Sequence, residues 1–154
     1  MKKIIYTRSD GGCAVIHPVI GTHPQRENIT EDEALQRAWE KDIPADAINP
    51  QIVSAEFVPT DRSFRNAWIV GIQSIGFDMN KCREIYKQQL REIRAPKFAP
   101  LEQSQRTAFV TGDIPKALML ESKLQQLRDV TSDPAILAAQ TPEELKTILP
   151  DCLK

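Results

Sequence analysis

Apolar and β-branched residues gather in Ile4-Ile5-Tyr6 and again from Cys13 to Ile20, on either side of Ser9-Asp10-Gly11-Gly12. A cluster of that kind supplies the positive φ angles of a tight connection, so Ile4 to Ile20 is predicted to form the two strands of a β-hairpin. Pro18, Gly21, Pro24 and Asn28 predict a loop after the second strand, because proline removes a ladder donor and biases its predecessor away from helix. Thr30 with Glu33 three residues on is a capping-box signature. Acids crowd the first turn, where the helix dipole favours them, and Leu35, Ala38 and Trp39 share a face. A helix over 31–41 follows, with Trp39 expected to lie on the hairpin.

Pro44 stops that helix. Ile48 to Val58 carries Ile52, Val53, Phe57 and Val58 and predicts a third strand that Pro59 ends. Thr60-Asp61 can cap a short helical stretch over Arg62 to Trp68, and Ile69 to Phe77, with Gly71 and Gly76, reads as strand or irregular structure. From Asp78 the period changes. Met79, Cys82, Tyr86, Leu90 and Ile93 fall at spacings of 3, 4, 4 and 3, one amphipathic stripe. Pro96 and Pro100 predict a break or kink, with Leu101 to Val110 continuing the helix and Gly112-Asp113 ending it. Pro115 is placed for the first turn of a second arm, where Ala117, Leu120, Leu124 and Leu127 make the seam of an antiparallel pair. Asp133-Pro134 and Thr141-Pro142-Glu143-Glu144 follow, the latter opening a last short helix over Pro142 to Leu149.

These elements define an α+β fold. A small antiparallel sheet, the hairpin plus one or two strands, carries a covering helix and is followed by a helical hairpin and a short last helix. The expected divisions are a small α+β domain over 1–77, the helical hairpin over 78–130 and a C-terminal tail over 131–154.

Composition changes this picture little. With 20 basic and 21 acidic residues the chain has no global attraction for nucleic acid or anionic membrane, so such a partner needs a local patch. Local imbalance does exist. Residues 1–77 hold 8 basic and 10 acidic groups, 78–130 hold 10 and 7, and 131–154 hold 2 and 4. Cys13, Cys82 and Cys152 lie far apart with no C-x-x-C spacing, which fits reduced thiols in a cytosolic setting. The apolar run after Lys3 is too short for a signal-peptide core, and no later stretch approaches a membrane span.

Candidate chemistry is sparse. Cys13, His17 and His23 make C-x3-H-x5-H, but a structural zinc site needs a fourth ligand, so they are read as ordinary side chains with no metal. No nucleophile motif, phosphate loop or H-E-x-x-H pattern occurs, and neither an enzyme nor a cofactor is expected. Two places could bind a partner. Arg83, Lys87, Arg91 and Arg94, at spacings of 4, 4 and 3, form a basic stripe on the long helix. Its plain alternative is a solvated face with cations near a helix C-terminus. Arg62, Arg65 and Trp68 lie in a segment dense in packing and hydrogen-bonding groups, read either as a junction anchor or as a binding hot spot.

Four stretches together resemble small proteins of tailed bacteriophages and prophages, encoded among virion and tail genes. They are Lys3-Ile4-Ile5-Tyr6-Thr7-Arg8 with Asp10-Gly11-Gly12, Pro59-Thr60-Asp61-Arg62 through Trp68, Gln126 to Val130, and Thr141 to Lys146. Leu127-Arg128-Asp129 near a helix end is also similar to small tail-assembly chaperones. Ser9 and Ser63 stand where the family commonly has Pro and Thr, and Trp68 to Phe77 is more hydrophobic. The resemblance implies a non-enzymatic phage protein that binds a tail component, acting in the host cytoplasm during infection or in the virion. It assigns no catalytic residue. An inhibitor of a bacterial defence system is the alternative, and a nucleic-acid-binding module ranks third.

Overall fold

The computed structural model describes residues 1–20 and 29–154. The loop expected around Gly21, Pro24 and Asn28, and His23 with it, lies outside the described residues. The chain divides into two compact units, Met1–Asp78 and Met79–Lys154.

In the first unit, β1 (Lys2–Thr7), β2 (Cys13–Ile16) and β3 (Ile48–Ser54) form an antiparallel sheet in the order β2-β1-β3. Gly11, at φ +79°, makes the turn between β1 and β2, and the Arg8 amide donates to the Gly12 carbonyl at 2.8 Å. Ile4 pairs with Ile16 and Ile5 with Val15, so successive residues face opposite layers. On one side Ile4 packs with Leu35 and Ala38 of α1 (Glu31–Lys41). On the other, Ile5 and Val53 pack with Trp68 and Ile75, which belong to a second hairpin of β4 (Trp68–Val70) and β5 (Ile75–Phe77). The central strand β1 is thus buried on both faces, while Ile48 and Ile52 of β3 stay partly exposed.

The capping box forms as expected: the Glu33 amide donates to Thr30 Oγ1 at 3.3 Å and the Thr30 amide to Glu33 Oε2 at 2.9 Å. Three other expectations change. Ala34, Leu35 and Ala38 are the buried face of α1, which leaves Trp39 exposed rather than laid on the hairpin. The third strand stops at Ser54, and a 3-10 turn over Ala55–Phe57 follows it. Arg62 to Trp68 supplies only a 3-10 turn, Arg65–Ala67, because Asp61 Oδ1 accepts from both the Ser63 amide (2.8 Å) and its hydroxyl (2.6 Å). Those bonds close an Asx-type turn where a helix would otherwise begin.

The second unit is built on α2 (Met79–Val110) and α3 (Ile114–Asp129). α2 passes through Pro96 and Pro100 unbroken. Each proline removes one backbone bond, a cost of about 3 kcal/mol in an exposed helix interior. Burial of Leu90 and Ala108 on either side holds the helix together. At its end Gly112 has φ +75°, its amide donates to the Phe109 carbonyl at 3.2 Å and the Asp113 amide to that of Ala108 at 2.9 Å, a Schellman cap. Asp113 then caps α3, whose buried residues are Ala117, Leu120, Leu124 and Leu127, the expected seam. Two short helices, α4 (Pro134–Ala138) and α5 (Pro142–Thr147), bury Ile136 and Leu145. No helix among the described residues is long and apolar enough to cross a membrane.

Candidate protein-binding surfaces

The basic stripe of α2 faces inward for much of its length. Arg94 Nη1 donates to the carbonyls of Leu127 (2.9 Å) and Arg128 (2.7 Å), the last turn of α3. Its guanidinium also lies 5.8 Å from the Phe98 ring centre. Arg83 Nη2 donates to the carbonyl of Ala139, the C-cap of α4, at 2.9 Å, while Nη1 reaches Asn80 Oδ1 at 3.0 Å. The hydroxyl of Tyr86 donates to the carbonyl of Ile148, the C-cap of α5. Lys97, one turn beyond the stripe, donates to the Leu153 carbonyl at 2.9 Å. Unpaired carbonyls at helix C-termini carry partial negative charge and attract cations. Three helices therefore end on side chains of α2. Lys87 is held by Glu84 at 2.9 Å, and Arg91, exposed, donates to Gln88 at 3.4 Å and forms no ion pair among the described residues.

Trp68 is no surface anchor. It is 3% exposed in the first unit's core with Ile5, Cys13 and Val53, and its indole N–H meets no acceptor among the described residues. Phe64 is likewise buried. Arg62 and Arg65 on the same segment point the other way and are exposed. They join Lys3 in acting on His17, which continues β2 at the level of Lys3. The desolvation that His17 meets lowers its pKa, and the positive charges of Lys3, Arg62 and Arg65 push the same way. Sequence reasoning missed Lys3 and His17 here, because it takes the β1–β2 register to set the two opposite each other and the packing of Trp68 on that face to bring the arginines' charges to His17.

The Cys13 thiol is pushed up by burial, against the partial opposition of Arg65 and Arg8, which keeps it protonated and a poor nucleophile. Among the described residues no three His, Cys, Asp or Glu side chains gather as a metal site. In the second unit a groove of about 550 Å³ lies between the end of α3 and the C-terminal segment, lined by Asp129, Asp133, Asp151 and Cys152 among others.

The tip of the helical hairpin is apolar and open. Ile114 and Leu118, four apart, share a face of α3 offset from its buried seam. Phe109 and Val110 stand across the turn, and Phe109, Val110 and Leu118 are 51%, 84% and 63% exposed. No family model matches the chain, and no curated protein or solved structure matches it either.

Proposed function

We propose that this chain is a non-enzymatic bacteriophage protein that acts by binding another protein, as a tail-assembly or accessory factor. The observation that carries the binding reading is the hairpin tip: Phe109, Val110, Ile114 and Leu118 are large apolar side chains left in water around one turn. Large apolar side chains left exposed close together in the chain are a recurrent feature of interaction sites. The Schellman cap and the Asp113 cap fix the backbone between the two pairs, so little ordering would be needed on binding. The sequence resemblance to tailed-phage proteins supplies the proposed partner, a tail component.

The test is affinity purification of the tagged chain from phage-infected cells, with the bound species identified by mass spectrometry. Wild-type protein is expected to retain a tail protein that the Phe109→Ser, Leu118→Ser double variant releases. Recovery of no phage protein, or equal recovery by the variant, refutes this reading. A host defence effector in the eluate would favour the inhibitor alternative.

A further inference from the structure

The first unit carries a second, chemically different surface. Lys3 and His17 stand at one end of the sheet face that packs on Trp68, since Ile5 and Val15, two residues from each, belong to that core. Arg62 and Arg65 lie on a pinned segment whose Trp68 packs against that same face with Ile5 and Val15, and their charges reach His17. The Arg65 amide donates to the Arg62 carbonyl at 3.0 Å, the Ala67 amide to that of Phe64 at 2.8 Å, and Phe64 and Trp68 anchor the segment in the interior. Two neighbouring cations of the unit are paired, Lys2 with Asp32 at 3.6 Å and Arg8 with Asp10 at 3.2 Å, while Arg37 and Lys41 stand apart on α1. Lys3, Arg62 and Arg65 form no ion pair among the described residues.

We propose that Lys3, His17, Arg62 and Arg65 form a recognition site for a short carboxylate-rich segment of a partner protein. Two arginine forks on a fixed backbone match carboxylates in bidentate fashion and lose little backbone freedom on binding. A nucleic acid fits less well. The aromatic rings of this segment, Phe64 and Trp68, are buried and cannot stack on bases. A long polyanion would also run from the cluster onto a unit with more acids than bases, including Glu31, Asp32 and Glu33 at the start of α1. A short acidic peptide stays within the cluster.

The experiment is fluorescence anisotropy of the full chain with a labelled hexaglutamate-containing peptide, beside a labelled single-stranded oligonucleotide of equal charge, at two salt concentrations. The peptide is expected to bind better than the oligonucleotide. Arg62→Gln with Arg65→Gln should weaken it about tenfold, as loss of two charge-assisted contacts implies. Arg91→Gln, an exposed cation of the other unit, should leave it unchanged. Circular dichroism of each variant confirms that the fold is kept. Preference for the oligonucleotide, no peptide binding, or equal loss in the Arg91 variant overturns the assignment. Because the proposed tail-protein contact uses Phe109 and Leu118, each proposal can fail while the other stands.

Discussion

The two units hold their positive charges in opposite ways. In the second, Arg83, Arg94 and Lys97 turn toward backbone carbonyls at the ends of α3, α4 and the C-terminal segment, and act as caps supplied from another helix. In the first, Lys3, Arg62 and Arg65 have no such acceptor and gather around His17 at the surface. Helix ends explain the difference. A unit with several short helices creates carbonyl groups that need donors, and α2 is the long element they terminate on. A sheet-based unit satisfies its carbonyls within its ladders and leaves Arg62 and Arg65 uncommitted. A regular row of cations is therefore weaker ground for a binding face than an irregular cluster whose own members are left without carbonyl or carboxylate partners.

The largest effect that tests this contrast is expected from Arg94→Ala. Loss of two bonds to the α3 terminus should cost about 2 kcal/mol, the usual scale for hydrogen bonds to a charged group. The units can be followed separately, since Trp39 and Trp68 are the only tryptophans and both lie in the first. Urea unfolding by helical circular dichroism should shift for this variant while tryptophan fluorescence does not. A shift of the same size for Arg91→Ala would break the distinction between the two cations. Tyr86→Phe comes next. It removes the donor to the Ile148 carbonyl and nothing else, for an expected loss of about 1 kcal/mol in the same signal.

Those caps show where sequence reading stops. Arg83 and Arg94 reach acceptors 56 and 33 residues away, and no local pattern encodes that distance. Features that close within a few residues were legible: the Thr30–Glu33 capping box, the Gly11 turn, the Gly112 cap and the Ala117 to Leu127 seam. The β4–β5 hairpin was only half legible for a similar reason. Its strands have three residues each, and its turn is held from outside by Gln51 of β3, which donates to the Gly71 carbonyl at 3.2 Å and accepts from the Gln73 amide at 2.8 Å. Trp39 misled because it lies one position past Ala38, close enough in sequence to the buried face yet rotated off it. For the candidate surfaces, the arginines were visible as residues, but their commitment or freedom was decided by partners distant in the chain.

A smaller effect is expected from Arg62→Gln with Arg65→Gln in the absence of any ligand. Both side chains are exposed and unpaired among the described residues, so stability by tryptophan fluorescence should stay within about 0.5 kcal/mol of wild type. A small gain is the favoured sign, because the substitutions relieve repulsion with Lys3 and His17. A marked loss would mean that these arginines are structural after all, and the contrast between the units would dissolve.

The smallest effect concerns His17. Its folded pKa lies below the ordinary 6.5, so the unfolded chain binds the proton more readily. Stability from this group is present above that ordinary value and is lost as pH falls toward the folded one. The first unit should therefore unfold at slightly lower urea at about pH 5.5 than at about pH 7.5, the window in which a histidine titrates. Glu33, held below its ordinary 4.5 chiefly by the Thr30 backbone, titrates lower and does not enter that window. His17→Gln should flatten the difference, and so should Arg62→Gln with Arg65→Gln in part, since their charges contribute to the shift. An acidic peptide at the site should reverse the sign, because carboxylates beside His17 favour its protonated form and raise its pKa. If the flattening appears in His17→Gln but the peptide leaves the slope unaltered, the histidine senses the arginines without sharing their ligand.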